Sequence, residues 1–434
     1  MDSDSINGLL LESFEHFVNS AHPRETIQNY IPGPPKGRTL ILGAGKASAA
    51  MAAEFERHYD APLEGLIITR YGHKVPTSQV KVIEAAHPVP DENGRQAVEE
   101  LISLARSARP SDLVVCLISG GGSALLSAPV EGVSFPAIQN LTKALLASGA
   151  EIDEINCVRK HLNKLLGGGL ASLMPETQVI TLAISDVIGD DPGTIASGPT
   201  VGDNTSLGDA RQILEKYQIK PEVEITAALL DEANETRAPD DTVFTNNSYH
   251  LISAPAQSLK AAASFWQSKG FEPIIYNEDV GGDTNQAAKD HVAFVQKFLH
   301  ENSAISRPTA ILSGGETTVK LTGKGEGGPN TQFILQAAIT LAEHPGVYAL
   351  AADSDGYDGS ADNAGARLTP ETLASAKAKG LDAAALLAGN DSYNFFKPLG
   401  QLVITGATYT NINDYRVFLL TPGALNLKDC QPDQ

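Results

Sequence analysis

The chain has 434 residues, enough for two or three domains, and its 42% hydrophobic against 19% charged residues supports buried cores rather than disorder. Lys and Arg number 32 and Asp and Glu 52, so the formal charge is 32 − 52 = −20. That balance argues against nucleic acid or an anionic membrane as the main partner, because both demand a basic surface.

No apolar run approaches the roughly 20 residues needed to span a bilayer. The acidic N-terminus, MDSDSINGLLLESFEHF, lacks the basic region of a secretion signal, so a cytoplasmic location is expected. Cys116, Cys157 and Cys430 show neither CxxC nor CxH spacing, which points away from zinc and from a disulfide framework. A homodimer is compatible with the sequence, which does not fix the oligomeric state.

In chain order, residues 7–19 carry apolar side chains at helical spacing, and PGPPKG at 32–37 breaks the chain before the first strand. TLIL (39–42), GLIIT (65–69), DLVVCLIS (112–119) and QVITLAIS (178–185) read as short apolar strands. Helical patterns at 93–108 and 135–149 lie between them. Continuous apolar runs mean strands buried on both faces, hence a parallel sheet covered by helices. The polar run ETRAPDDT (235–242) marks a boundary, giving domains 1–240 and 241–434. The second series holds a helix in SLKAAASFWQSKG and strands in EPIIYN, TAILSG, VYALAAD and QLVITG.

LILGAGKASAAMAAEFE (40–56) places a strand, a glycine turn and a helix in the order of an anion site. The dinucleotide fingerprint would need glycine at 48, which is Ser48, and the P-loop would need it at 40, which is Leu40. What survives is general: small residues let backbone N–H groups approach an anion, and Lys46 adds a positive charge. The plainer reading is a tight turn with a solvated lysine.

Four other strands also run into loops rich in Gly, Ser, Thr and Asp. They are Gly120-Gly121-Gly122-Ser123, the segment from Asp186 through Asp190 to Thr200, Gly315 to Thr318 with GKGEGGPN (323–330), and Ser354 to Gly359. In open α/β sheets ligands bind outside the carboxyl ends of strands. Each loop alone could be turn chemistry; five together point to a site. Gly120 to Ser123 could wrap phosphates, and Asp186, Asp190, Asp353 and Asp355 offer hard oxygens suited to Mg²⁺. Phosphoryl transfer then fits better than hydride transfer. His87 reads as structural, and the cluster Arg159-Lys160-His161 as a solvated charged helix face.

These motifs, with TRYGHKVP, AAHPVPDENG, EINCVRKHL, DSDGYDGSADNAGA and NDSYNFF…TGATYTNINDY, resemble the MOFRL-type glycerate 2-kinases, a family that includes proteins named as hydroxypyruvate reductases. The resemblance runs from about residue 7 to 421. It implies an N-terminal Rossmann-like parallel sheet with helices on both faces and a smaller C-terminal α/β domain, with the active site in the cleft between them. It also implies ATP, Mg²⁺ and phosphorylation of D-glycerate at its 2-hydroxyl. Lys46 looks like the family's cleft lysine, Gly120, Gly121, Gly122 and Ser123 its nucleotide-side loop, and Asp186 and Asp190 its catalytic carboxylates. Asp353 and Asp355 are expected at the metal, and Arg159, Lys164 and Asn330 at the acid.

The chain also departs from the family. GGRNQE is here Gly327-Gly328-Pro329-Asn330-Thr331-Gln332, SxIKGGR is replaced by Asn163 to Gly169, and Tyr409 stands where TGPTGTN has glycine. Lost guanidinium groups mean lost bidentate contacts, which lysine does not reproduce. Substrate identity is affected most. The rival readings are an NAD(P)H-dependent hydroxypyruvate reductase and a non-catalytic ligand-binding relative.

Overall fold

The computed structural model describes residues 2–301, 307–342, 344–359 and 361–422, so Cys430 lies outside the described residues. The chain forms two compact units, one spanning Pro23–Ser253 and the other joining the segment through His22 to the chain from Ala254 onward.

The first unit is built on a six-stranded sheet of β1 (Thr39–Ala44), β2 (Leu63–Arg70), β3 (Val80–Ala85), β4 (Leu113–Ile118), β5 (Gln178–Ile184) and β6 (Asn247–Ser253). Their order is β3-β2-β1-β4-β5-β6 and every pairing is parallel. Every residue of β1 and β4 is buried, as two helix-covered faces require. Strand order reverses between β1 and β4, which makes their carboxyl ends the topological switch point of the sheet. The boundary expected at 240/241 falls inside this unit, because β6 beyond it pairs in parallel with β5.

Helices of this unit have ordinary start and stop chemistry, as in Phe135–Ser148, whose buried face packs with Ile155, Val158 and Leu207 in a cluster apart from the sheet. Phe135–Ser148 opens on Ser134, whose hydroxyl accepts from the Ala137 N–H at 3.3 Å, and stops at Gly149 in the left-handed region at φ 75. Its buried Ala137, Leu141 and Leu145 recur every four residues on one face.

The second unit holds β7 (Glu272–Asn277), β8 (Thr309–Ser313), β9 (Val347–Asp353), β10 (Gly365–Leu368), β11 (Leu402–Val403) and β12 (Asp414–Leu420), in the order β11-β10-β9-β12-β8-β7. Only β7 and β8 pair in parallel; the other contacts are antiparallel. The strand expected over 401–406 is only two residues long. Helix Ser3–Ser20 belongs here, where Ile6, Leu10, Phe14 and Phe17 are buried. Tyr415 Oη donates to Ser13 Oγ at 3.1 Å and accepts from Trp266 Nε1 at 3.0 Å. Among the described residues no helix is long and apolar enough to cross a membrane.

Candidate active site

Strand register puts three of the expected loops at one level. Ala44 of β1 lies opposite Ile118 of β4, and Ile118 opposite Ala183 of β5. Lys46, Gly120 and Asp186 therefore leave neighbouring strands two or three residues beyond the same row. The first two loops are stitched together: the Lys46 N–H donates to the Gly120 carbonyl at 2.9 Å and the Ala47 N–H to Ser119 Oγ at 3.0 Å. Those two donors are consumed by protein, so the turn after β1 contributes its lysine side chain rather than an open backbone cradle. The N–H groups of Gly120, Gly121 and Ser123 make no hydrogen bond to any described residue.

Gly121 sits at φ 82, the left-handed region glycine tolerates. A Cβ there would stand 3.1 Å from both Cδ2 and Nε2 of His87 and 3.5 Å from Cγ of Lys46. The glycine loop, the half-buried lysine and this histidine thus share one corner. His73, fully buried, brings its Nδ1 within 3.3 Å of the Lys46 carbonyl, and Ser123 Oγ lies 2.8 Å from Ser197 Oγ. Both histidines follow strands, β2 and β3, that also end at this edge. His87, expected to be structural, lies against the candidate loop. The available signal was AAHPVP directly after a strand, but β3 (VKVIEA) exposes Lys81 and so lacks a continuous apolar run.

The other expected residues of this unit spread outward. Asp190 has φ 55, and one buried carboxylate oxygen finds no hydrogen-bond partner. Ala196 and Ser197 share its left-handed backbone at φ 50 and φ 57. Three such residues that are not glycine in one segment store backbone strain of the kind found at functional sites. Tyr249 lies toward Asp190 and Asp191; burial first, then those carboxylates, push its phenol upward. Lys164 is exposed and lines a separate recess with Arg95 and Glu99.

Arg159 lies half-buried in a small apolar cavity behind Ser123, and burial lowers its proton affinity. Its two neighbours do not form the solvated face the sequence suggests. Lys160 is buried and paired with Asp203 at 3.1 Å, while His161, fully buried, places Nε2 2.9 Å from Glu235. Each is thereby matched by a carboxylate, Lys160 by the buried Asp203 and His161 by the exposed Glu235, and pairing is the condition for burying a charge such as that of Lys160.

In the second unit Asp353 ends β9, and its Oδ1 accepts from the Asp355 N–H at 2.9 Å. Asp355 Oδ1 in turn accepts from the Tyr357 N–H at 2.8 Å. Asn330 is 1% exposed and donates from Nδ2 to Asp414 Oδ1 at 2.7 Å, while its own Oδ1 is buried without a partner. Asp358 closes the start of helix Pro329–Leu341, accepting from the N–H groups of Asn330 and Thr331 at 2.8 Å each. Complete burial outweighs those bonds and pushes Asp358 up to about 6. Asp414 is likewise raised by burial, against the pull of Arg416 at 2.5 Å.

The glycine-rich segment 323–328 is not an open phosphate loop. A Cβ on Gly323 would stand 2.1 Å from the Gly389 carbonyl, and one on Gly328 2.4 Å from Asp358. These glycines permit close backbone packing. Tyr409, at the family's glycine position, is held at φ 61, which is costly for an aromatic residue.

Mg²⁺ takes few protein ligands and completes its shell from water and phosphate. Among the described residues no group of three His, Cys, Asp or Glu side chains is arranged to hold a metal alone. Paired carboxylates two positions apart, each oriented through one oxygen, are hard donors of the kind that ion accepts, so Asp353 and Asp355 fit it chemically.

Comparison with known proteins now adds to this geometry. A domain family described as a domain of unknown function (DUF4147) matches residues 9–230, and the MOFRL family matches 309–414. A D-glycerate 2-kinase of Thermotoga maritima is 36% identical over 96% of this chain and 99% of its own. The chain belongs to the MOFRL-type glycerate 2-kinase family. The crystal structure of glycerate kinase from the same organism aligns with a TM-score of 0.85 at 35% identity, covering 96% of this chain and 100% of that one. A family member from Agrobacterium vitis, provisionally named a hydroxypyruvate reductase, is 41% identical over 96% of this chain and 95% of its own.

Proposed function

We propose that this protein transfers a phosphoryl group from ATP to the 2-hydroxyl of D-glycerate or a closely related small sugar acid. The reading rests on one arrangement: Lys46, the glycine loop and Asp186 leave adjacent parallel strands at the switch point. Phosphoryl transfer asks mainly for positioning and charge neutralisation. Gly120 to Ser123 would hold nucleotide phosphates through backbone N–H groups, and Lys46 would neutralise the transferring group or the acid's carboxylate. Asp186, Asp190 and Asp353 divide the remaining work, one accepting the hydroxyl proton and the others orienting Mg²⁺ with Asp355. The ion, when bound, supplies charge neutralisation at the phosphates.

On the acid side, Pro329 replaces the family's arginine at the first turn of helix Pro329–Leu341, and with Lys164 out at a separate recess Asn330 is the remaining candidate to meet the carboxylate. Glycerate, erythronate, threonate and tartrate with ATP and Mg²⁺, products read by mass spectrometry, decide the acceptor. ADP release with D-glycerate should fall at least 100-fold in Lys46→Ala; equal turnover removes Lys46 from the mechanism. The name borne by the Agrobacterium relative favours a second reading, reduction of hydroxypyruvate by NAD(P)H. It requires substrate-dependent loss of nicotinamide absorbance, and Ser48 in place of the fingerprint's third glycine counts against it.

A further inference from the structure

Behind Ser123 the first unit contains a cavity of about 90 Å³ walled by Val89, Ala124, Ile138, Leu141 and Leu145, with Arg159 set into it. A buried water needs about 10–15 Å³ measured this way, so the space holds on the order of six waters or one flat heterocycle. Two amide side chains of the wall are already engaged: Gln139 Nε2 donates to the Pro90 carbonyl at 3.1 Å, and Asn163 Nδ2 to the Leu126 carbonyl at 3.0 Å. The Arg159 guanidinium, half-buried where Lys143 on the same wall is exposed, makes no hydrogen bond or ion pair with any described residue.

A half-buried cation beside apolar walls gains most from a ligand that is apolar in area yet electron-rich on its face. Guanidinium is planar, weakly hydrated and stacks on aromatic rings, which suits it to that role better than lysine. Ser123 belongs both to this cavity and to the glycine loop that would hold phosphates, so one ligand can occupy both. We infer that the cavity seats the purine base of the nucleotide, with Arg159 against the base and the phosphates running over Gly120 to Ser123 toward Lys46. The inference rests on the kinase reading and assigns Arg159 to the nucleotide rather than to the acid.

Thr142, half-buried on helix Phe135–Ser148 and lining the cavity, gives the variant. Thr142→Phe fills the space without disturbing the loop, and Arg159→Gln removes the stacking cation. Calorimetry with ADP should show at least tenfold weaker binding in Thr142→Phe and threefold or more in Arg159→Gln, with melting temperatures near wild type. Inorganic pyrophosphate, which has no base, should bind both variants as it binds wild type. Unchanged ADP affinity in a folded Thr142→Phe overturns the inference, as does equal weakening of pyrophosphate. Absence of ADP binding to the wild type overturns it together with the kinase reading. Phosphoryl transfer that persists with ADP affinity indifferent to Thr142→Phe sinks this inference alone. ADP binding that depends on the cavity, in a protein that phosphorylates no acid, sinks the kinase reading alone.

Discussion

Gly121→Ala separates a site effect from a backbone effect, because Gly132 has nearly the same conformation and nothing around it. Gly121 has φ 82 and Gly132 φ 81, but only at Gly121 would a Cβ meet anything within 4 Å. Forcing alanine into the left-handed region costs roughly 1–2 kcal/mol, partly offset by the smaller entropy of its unfolded chain. A net loss of about 1 kcal/mol lowers the melting temperature by roughly 2–4 °C for a unit of this size. Both variants should show that loss.

They should part in catalysis. The Gly121 Cβ would stand 3.1 Å from two atoms of the His87 ring, so the ring or the loop must yield by a few tenths of an ångström. Misplacement by an ångström can cost about 100-fold, and a fraction of it about tenfold. Steady-state kinetics with ATP varied should therefore show kcat/KM reduced about tenfold in Gly121→Ala and unchanged in Gly132→Ala. Equal melting losses with wild-type kcat/KM in both would refute the placement of the phosphates on this loop.

Two further outcomes concern the second unit. His291 is buried, with Nε2 2.7 Å from Ser313 Oγ, and burial lowers it from 6.5 to about 4. A depressed value means the folded state binds fewer protons than the unfolded chain, so its contribution is present above pH 6.5 and lost as pH falls to about 4. That depression corresponds to roughly 3 kcal/mol. Chemical denaturation from pH 7 to 4 should cost wild type about that much more than His291→Phe, and parallel profiles would show that the histidine takes up protons while folded. Arg416 is fully buried against Asp414. Arg416→Met leaves that carboxylate unpaired and should cost about 3–5 kcal/mol, whereas pairing it with Asp414→Leu should recover much of the loss, read by thermal melts.

In the first sheet the strands that the sequence reveals are the inner ones: β1, β2, β4 and β5 appear as apolar runs because parallel pairing and helical cover leave little room for polar residues. β3 (VKVIEA) and β6 (NSYHLIS) sit at the two edges of the first sheet, where exposed Lys81 and His250 interrupt the run. β12 (DYRVFLL) is hidden for another reason. It is wholly buried in the middle of its sheet, yet it opens with Asp414 and Arg416, whose charges cancel only through a contact that a one-dimensional reading cannot see. Helix Ser3–Ser20 is legible from its spacing, but its partner chain lies some 240 residues away, so composition could not assign it to the second unit.

The same distinction applies to the candidate site. Glycine, serine and aspartate clustered after a strand describe two physical situations, and what separates them is whether the chain consumes its own donors and acceptors. In 323–330 it does: the glycines lie against 389–393 and Asp358, and Asp358 takes the first N–H groups of the following helix. At Gly120 to Ser123 it does so only in part: the Gly122 N–H donates to the Ser119 carbonyl at 3.2 Å, the N–H groups of Gly120, Gly121 and Ser123 have no acceptor among the described residues, and Gly121 is kept bare by His87 and Lys46. Arg159 follows the same logic on the side-chain level. Its neighbours Lys160 and His161 are matched by Asp203 and Glu235, and it alone of the three has no partner among the described residues. A fold that gives two adjacent side chains carboxylate partners and leaves the guanidinium beside an apolar cavity has left that cation to a ligand, which is why the nucleotide side of the site is sought there.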